Sequence, residues 1–250
     1  EAEAESGGEV EGEGGGAGTQ LLWCLRLWRL LGEEHATVDL RELEGWPLLP
    51  TAGGEAYALP AGGLGGSRVI DLAAVSDALV RGALSGAGCV ALHPRASRAH
   101  PGLKAYVHEP SALAALLALR AAAGGDASGV PARFGDVGRA ERRALAAMLA
   151  ERRHVEEEAL RFSDGNLVEL LLSLPIFDVH GGSDGDAPEC IGLSVKEHWL
   201  APAETDDALL DGRFVRVART DEELLLRFAG LGRLTRAAFL LDHVFPRLDS

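Results

Sequence analysis

The stretch Leu170–Gly182, LLLSLPIFDVHGG, decides how this chain is read. An apolar helical run ends at Leu174, and Pro175 cuts it, because proline disfavours helix in the residue before it and cannot donate to the ladder. Ile176, Phe177 and Val179 then supply strand-type side chains. Gly181-Gly182 offers the positive-φ positions a hairpin needs, and Cys190-Ile191-Gly192-Leu193 reads as the returning strand. Pro175 is therefore expected to mark a helix-to-strand switch.

Outward from that point the chain alternates short hairpins with helices, a mixed α/β (α+β) pattern. Gly45–Leu59 reads as a second Pro-led hairpin around Gly53-Gly54. Thr19–Leu31 carries Leu21, Leu22, Leu25, Trp28 and Leu31 at helical spacing, with Thr19 as N-cap and Gly32 as stop. Trp23 and Trp28 suit core packing better than a membrane or partner face. Further helices are expected over Leu72–Leu84, Ala112–Ala123 behind Pro110-Ser111, Arg139–Leu160 and Gly165–Ser173, with a buried strand over Gly88–Leu92. The second helix-rich half adds a short strand over Arg213–Ala218. A capping box with Thr220 at the N-cap and Glu223 at N3 opens a helix over Asp221–Phe228, and a final helix runs from about Thr235 to Phe245.

These elements divide the chain. Residues 1–18 are an acidic Glu/Gly/Ala tail too poor in apolar side chains to offset the entropy of ordering. Residues 19–123 form a first α/β subdomain, 124–138 a Gly-rich connection, and 139–250 a second α/β subdomain. Pro47 is followed by a glycine pair at Gly53, and Pro175 by one at Gly181 at the same distance, so the halves read as two related subdomains. The chain lacks an initiator Met and is expected to be part of a longer one.

The formal charge of −14 opposes non-specific nucleic-acid binding, which requires Lys and Arg against phosphates. No apolar run is long enough to span a bilayer, and the start has no signal-peptide pattern. Cys24, Cys89 and Cys190 are odd in number, far apart and free of any Cys-x-x-Cys, which fits buried thiols in a reducing compartment. His93, His100 and His108 lie in Pro-punctuated loop sequence with no zinc spacing and are expected at the surface. The Gly-rich loop Ala61–Ser67 lacks the Gly-Lys-Ser/Thr ending of a phosphate loop.

One catalytic pattern is present in letters. Gly181-Gly182-Ser183-Asp184-Gly185 satisfies Gly-x-Ser-x-Gly, but a nucleophile elbow needs a helix directly after the serine, and Asp186-Ala187-Pro188-Glu189 follows. Asp184, Asp186 and Glu189 are too few and too closely spaced for a calcium loop. No catalytic, cofactor-binding or metal residue is assigned.

Three segments taken together carry a resemblance: Trp46-Pro47-Leu48-Leu49-Pro50, Leu174-Pro175-Ile176-Phe177, and Glu222–Leu231 with Ala237-Ala238-Phe239 and Asp242-His243-Val244-Phe245. In order and separation they resemble the sacsin family, the very large chaperone-like proteins of animals, plants and algae. The likeness runs from about Leu21 to Arg247 and is nearest to plant and green-algal members. It implies repeating units, each opening with an ATPase module of Hsp90-like fold and continuing into long α/β segments. The nucleotide site of that module needs a Glu/Asn helix and an Asp-x-Gly-x-Gly loop; Asp164-Gly165-Asn166 lacks the second glycine. The resemblance therefore falls outside the ATPase modules and carries over neither catalytic residue nor cofactor.

What it implies is a non-enzymatic scaffold or client-binding surface. The partners implied are protein clients, the Hsp70/Hsp90 system and neighbouring modules of the same chain, in the cytoplasm. Two other readings stand beside it: a structural spacer that binds no client, and a serine hydrolase using Ser183 with His180 or His198 as base.

Overall fold

The computed structural model describes residues 15–33, 39–96, 99–124, 130–151, 165–181 and 190–248. The fold is α+β. Helices α1 (Gly15–Glu33), α2 (Ala78–Gly86), α3 (Ala112–Ala122), α4 (Arg139–Ala150), α5 (Gly165–Ser173) and α6 (Thr220–Phe228) precede α7 (Arg236–Phe239). The last of these continues through a π turn, Leu240–Val244, into a final turn, Phe245–Leu248. The strands β1 (Pro47–Pro50), β2 (Ala56–Ala58), β3 (Val69–Ile70) and β4 (Val90–Ala91) are short.

The Pro175 switch stands: α5 ends at Ser173, and the chain straightens so that Phe177 pairs with Ile191 and Val179 with Val215. The expected hairpin partner at Ile191 is thus found, but for one bridge only, since Val179 turns to a different strand. Around Gly53-Gly54 the hairpin is continuous, with β1 antiparallel to β2 and Leu49 opposite Tyr57.

The pairings reveal a repeat more directly than the sequence does. In the first unit Leu49 pairs with Tyr57 and Thr51 with Leu92, both antiparallel; Ile70 then pairs with Ala91 and His108, both parallel. In the second, Phe177 pairs with Ile191 and Val179 with Val215, both antiparallel. Trp199 then pairs with Phe214, and its neighbour Leu200 with Arg233, both parallel. Order and direction agree throughout. Even single bonds correspond. Ala52 N–H donates to Ala91 O at 2.9 Å and His93 N–H to Pro50 O at 2.9 Å, as His180 N–H donates to Phe214 O at 2.9 Å and Arg216 N–H to Asp178 O at 2.8 Å. The last parallel partner is followed in each unit by a hydroxyl N-cap: Ser111 Oγ accepts from Ala114 N–H, and Thr235 Oγ1 from Ala238 N–H. The crossovers differ. α2 lies between the first parallel pair, where the second unit has only the turn Asp207–Leu209; α6 lies between Val215 and Arg233, where the first unit has only Pro101–Ala105.

The largest core cluster joins α2 and α3 to α4, α5 and α6, so apolar side chains on both sides of the Gly-rich connection pack together, with Phe134 from that connection buried among them. A second cluster gathers around Trp28, whose indole N–H donates to Leu48 O at 2.7 Å and seats α1 on the first hairpin. A third surrounds Phe214 and Phe239.

Several expected boundaries shift, for local reasons. α1 begins at Gly15, before the expected Thr19 cap and within the expected disordered tail, because a docked helix extends more cheaply than it nucleates. Residues 1–14 lie outside the described residues. The expected Leu72–Leu84 helix is split. Asp71 accepts from Ala73 N–H to form the turn Leu72–Ala74, and Asp77 accepts from Leu79 and Val80 N–H to start α2 anew. The capping box of α6 is displaced by one residue. Arg219 is the N-cap, and Glu222, at N3, accepts from Ala218 N–H instead of closing on Thr220. Both α2 and α6 end in paired bonds around a left-handed glycine, Gly88 (φ 97°) and Gly230 (φ 94°), as in Leu231 N–H to Leu226 O at 2.9 Å.

Candidate functional site

α4 is the element that brings the two units together. Its buried stripe, Leu145, Ala146, Leu149 and Ala150, packs into the core, while the face formed by Ala140, Ala144, Ala147 and Met148 looks across at β3 and α2. Small side chains on that face leave a cleft of about 940 Å³ rather than a filled interface. Its floor is apolar, with Ile70, Val80 and Leu84 buried and Leu79 exposed at the edge. Carboxylates of Asp77, Glu151 and Asp221 stand at the rim, with Arg219 as the exposed cation beside them.

One end of the cleft is closed by a buried charge cluster. Arg143 Nη2 donates to Glu222 Oε1 at 2.6 Å, Arg143 Nε lies 3.4 Å from Asp178 Oδ2, and Arg143 Nη1 donates to Ile176 O at 3.2 Å. Arg139 adds a contact to Asp178 Oδ1 at 3.3 Å, and Cys190 Sγ donates to the same oxygen at 3.4 Å. The guanidinium of Arg139 is held above its ordinary value by that carboxylate. The cluster ties α4 to the extended segment that follows Pro175 and to the first turn of α6. It joins cations to anions through charge-assisted hydrogen bonds, an arrangement that fixes the geometry of this end of the cleft.

No family model, curated protein or solved structure matches the chain. Its chemistry must therefore be judged from its own side chains.

The three thiols are free and buried, as the sequence suggests. Burial pushes Cys89 up to about 12, and burial followed by the Asp178 carboxylate pushes Cys190 up to about 11, so neither supplies a thiolate near neutral pH. Burial also raises Cys24. His93 and His100 are half-buried loop residues whose Nδ1 atoms accept from Arg95 and Gly102 N–H. His108 departs from the expected surface position: it is buried, its Nε2 2.9 Å from Ser67 O, and desolvation holds its pKa below the ordinary value. The loop that carries it forms the parallel partner of β3, which draws the ring inward. Among the described residues no group of three or more His, Cys, Asp or Glu is disposed to hold a metal ion. No described helix is long and apolar enough to cross a membrane.

Of the residues named for the hydrolase alternative, Ser183 lies outside the described residues, as do Asp184, Asp186 and Glu189. His180 is buried with its Nδ1 3.8 Å from Asp207 Oδ1, whereas His198 spends its Nδ1 on Ser194 N–H at 3.0 Å. The tryptophans divide: Trp28 is fully buried, and Trp23 is 54% exposed. Sequence reasoning missed the Arg143–Glu222–Asp178 cluster, because its members stand far apart in the chain and carry no motif. It also missed the cleft, for which the run of alanines at every third or fourth position of α4 was the available signal.

Proposed function

We propose that this chain is a non-catalytic, partner-binding segment of a sacsin-like chaperone, and that the cleft beside α4 receives an apolar protein segment with basic flanks. The observation that carries the reading is the cleft itself: an apolar floor between the two units, left open by alanines on α4 and rimmed by Asp77, Glu151 and Asp221. Apolar clefts with a few polar groups at their edges are common ligand and peptide sites, and the negative rim repeats the sign of the whole chain. The same cleft is of no use to a spacer, which would gain stability by filling it. The sacsin family and a cytoplasmic setting rest on the resemblance of the ordered motifs alone.

Leu79→Asp tests this. Leu79 is 46% exposed at the cleft edge and lies in the first turn of α2, where an aspartate suits the helix dipole. Fluorescent peptides with one apolar core and either Lys or Glu flanks are titrated against the wild-type chain and the variant. The expected result is binding of the Lys-flanked peptide, weakened about tenfold by the substitution, the scale set by the burial of one leucine side chain. Equal affinity for both peptides would remove the preference for basic flanks, and binding of neither returns the chain to the spacer reading.

A further inference from the structure

The second unit holds a separate cleft of about 490 Å³, beside the bridged residues Leu200 and Val215. His180 lies in its wall with 7% of its surface exposed, and its Nδ1 is buried without any hydrogen-bond partner. Asp207 Oδ1 lies 3.8 Å from it. That gap is too wide for a hydrogen bond, and the Asp207 side chain, 75% exposed, can swing to admit one small donor that contacts both atoms. The fold does not require this histidine, since the corresponding position of the first unit is Ala52, held by the same backbone bonding.

Desolvation and the nearby Arg216 keep His180 below its ordinary pKa, against the opposing pull of Asp207. A neutral ring can present a lone pair at Nδ1. Asp207 accepts only, and Glu204, in left-handed backbone at φ 60°, brings a second carboxylate to the same wall. Thr205 donates its hydroxyl to Pro202 O at 2.9 Å and so keeps its oxygen lone pairs for a donor. This end of the cleft collects acceptors. Arg216 also lines it, with no ion pair among the described residues, whereas Arg233 is already bound to Glu223 at 2.7 Å. Arg216 is thus the cation placed to meet an anion.

We propose that this cleft binds a small zwitterion of amino-acid size. Its primary ammonium donates to Asp207 and to His180 Nδ1, and its anionic group pairs with Arg216. An ammonium offers three donors to these acceptors, and a guanidinium binds carboxylate or phosphate in a fork.

The test uses the full chain and ω-amino acids from glycine to 5-aminopentanoate, with propylammonium and propionate as single-charge controls. Binding is read by calorimetry and by the imidazole nitrogen resonances of His180. One or more amino acids should saturate the protein and shift those resonances, with both controls at least about tenfold weaker, one charge-assisted hydrogen bond being worth about that factor. Asp207→Asn and Arg216→Gln should each weaken binding by about tenfold. Asp207 is 75% exposed in its side chain, and neither substitution empties the core, so the variants keep the fold, as far-UV circular dichroism checks. If no amino acid moves the His180 signals, or a control binds as well, or both variants bind unchanged, the proposal is overturned.

Discussion

Glu222 is the residue whose removal should be felt most sharply for its size. Its side chain is 5% exposed, one oxygen accepts from Arg143 at 2.6 Å, and the other accepts from Ala218 N–H at 2.8 Å. Stranding one member of a buried ion pair costs about 3–5 kcal/mol. Arg143, however, is 21% exposed and retains Asp178 and the Ile176 carbonyl, so its charge is not orphaned. For Glu222→Ala the expected loss is therefore one charge-assisted hydrogen bond plus one amide acceptor, about 2–3 kcal/mol. Glu222→Gln keeps an acceptor for Ala218 and a neutral one for Arg143, and should lose about 1 kcal/mol. Urea unfolding at pH 7, followed by circular dichroism, reads both, with the slope against urea as a check that the unfolded state is unchanged. In a chain of this size the alanine variant should melt about 4–12 °C lower. Arg143→Met with Glu222→Leu should fall well short of the sum of the single changes, since neither charge is then left behind. An alanine variant within about 0.5 kcal/mol of wild type would show that the cluster is a surface feature and that α4 is held by apolar contacts alone.

Two other outcomes follow from local geometry. Gly192→Ala should destabilise by about 2 kcal/mol or more, because a Cβ there would stand 2.5 Å from Ser173 O, at the rigid end of α5. Gly53→Ala, whose new Cβ meets only Thr51 Oγ1 at 3.7 Å, should change denaturant stability by less than about 0.5 kcal/mol, and equal effects would refute the packing argument. Acid should destabilise the fold above the carboxylate range. Burial lowers the folded-state pKa of both His108 and His180, so below about pH 6.5 the unfolded chain takes up protons that the folded chain refuses. Their contribution is fully present above that pH and is lost as pH falls, at up to about 1.4 kcal/mol per pH unit for each proton. Urea midpoints between about pH 7.5 and 5.5 test this, with His108→Asn flattening part of the slope; a midpoint that rises on acidification contradicts it.

The sequence was most legible where one residue type has one physical consequence. Pro175 behind a completed apolar run ends it, and Ser111 before an Ala/Leu run caps one, so α5, α3 and the first hairpin lie where the chain implies. It was least legible where two local choices compete. Asp71 and Asp77 each bind the backbone two residues on, and together they divide what apolar spacing reads as one helix. Glu222 and Glu223 both follow Thr220 closely, and their partners sort them: Arg143 and the Ala218 N–H hold Glu222 inward, while Glu223 meets Arg233. The site was less legible still. A cleft is a statement about what α4 does not fill, and no single residue states it.

The likeness of the two units, weak as a pattern of proline and glycine, is plainer in the direction of their hydrogen-bonded pairs. Two antiparallel pairs followed by two parallel pairs, in the same order, require two crossover connections in each unit. The crossovers are where the units part. α2 fills the first crossover of one unit and α6 the second crossover of the other. Both pack against α4, so the longer crossover of each unit covers the junction and leaves the opposite crossover short. The short crossover of the second unit is Asp207–Leu209, which is why the cleft around His180 has no counterpart helix above it. The two units thus share an order of pairing, and their unequal crossovers leave two clefts of different chemistry, one apolar at the junction and one polar beside the bridges of the second unit.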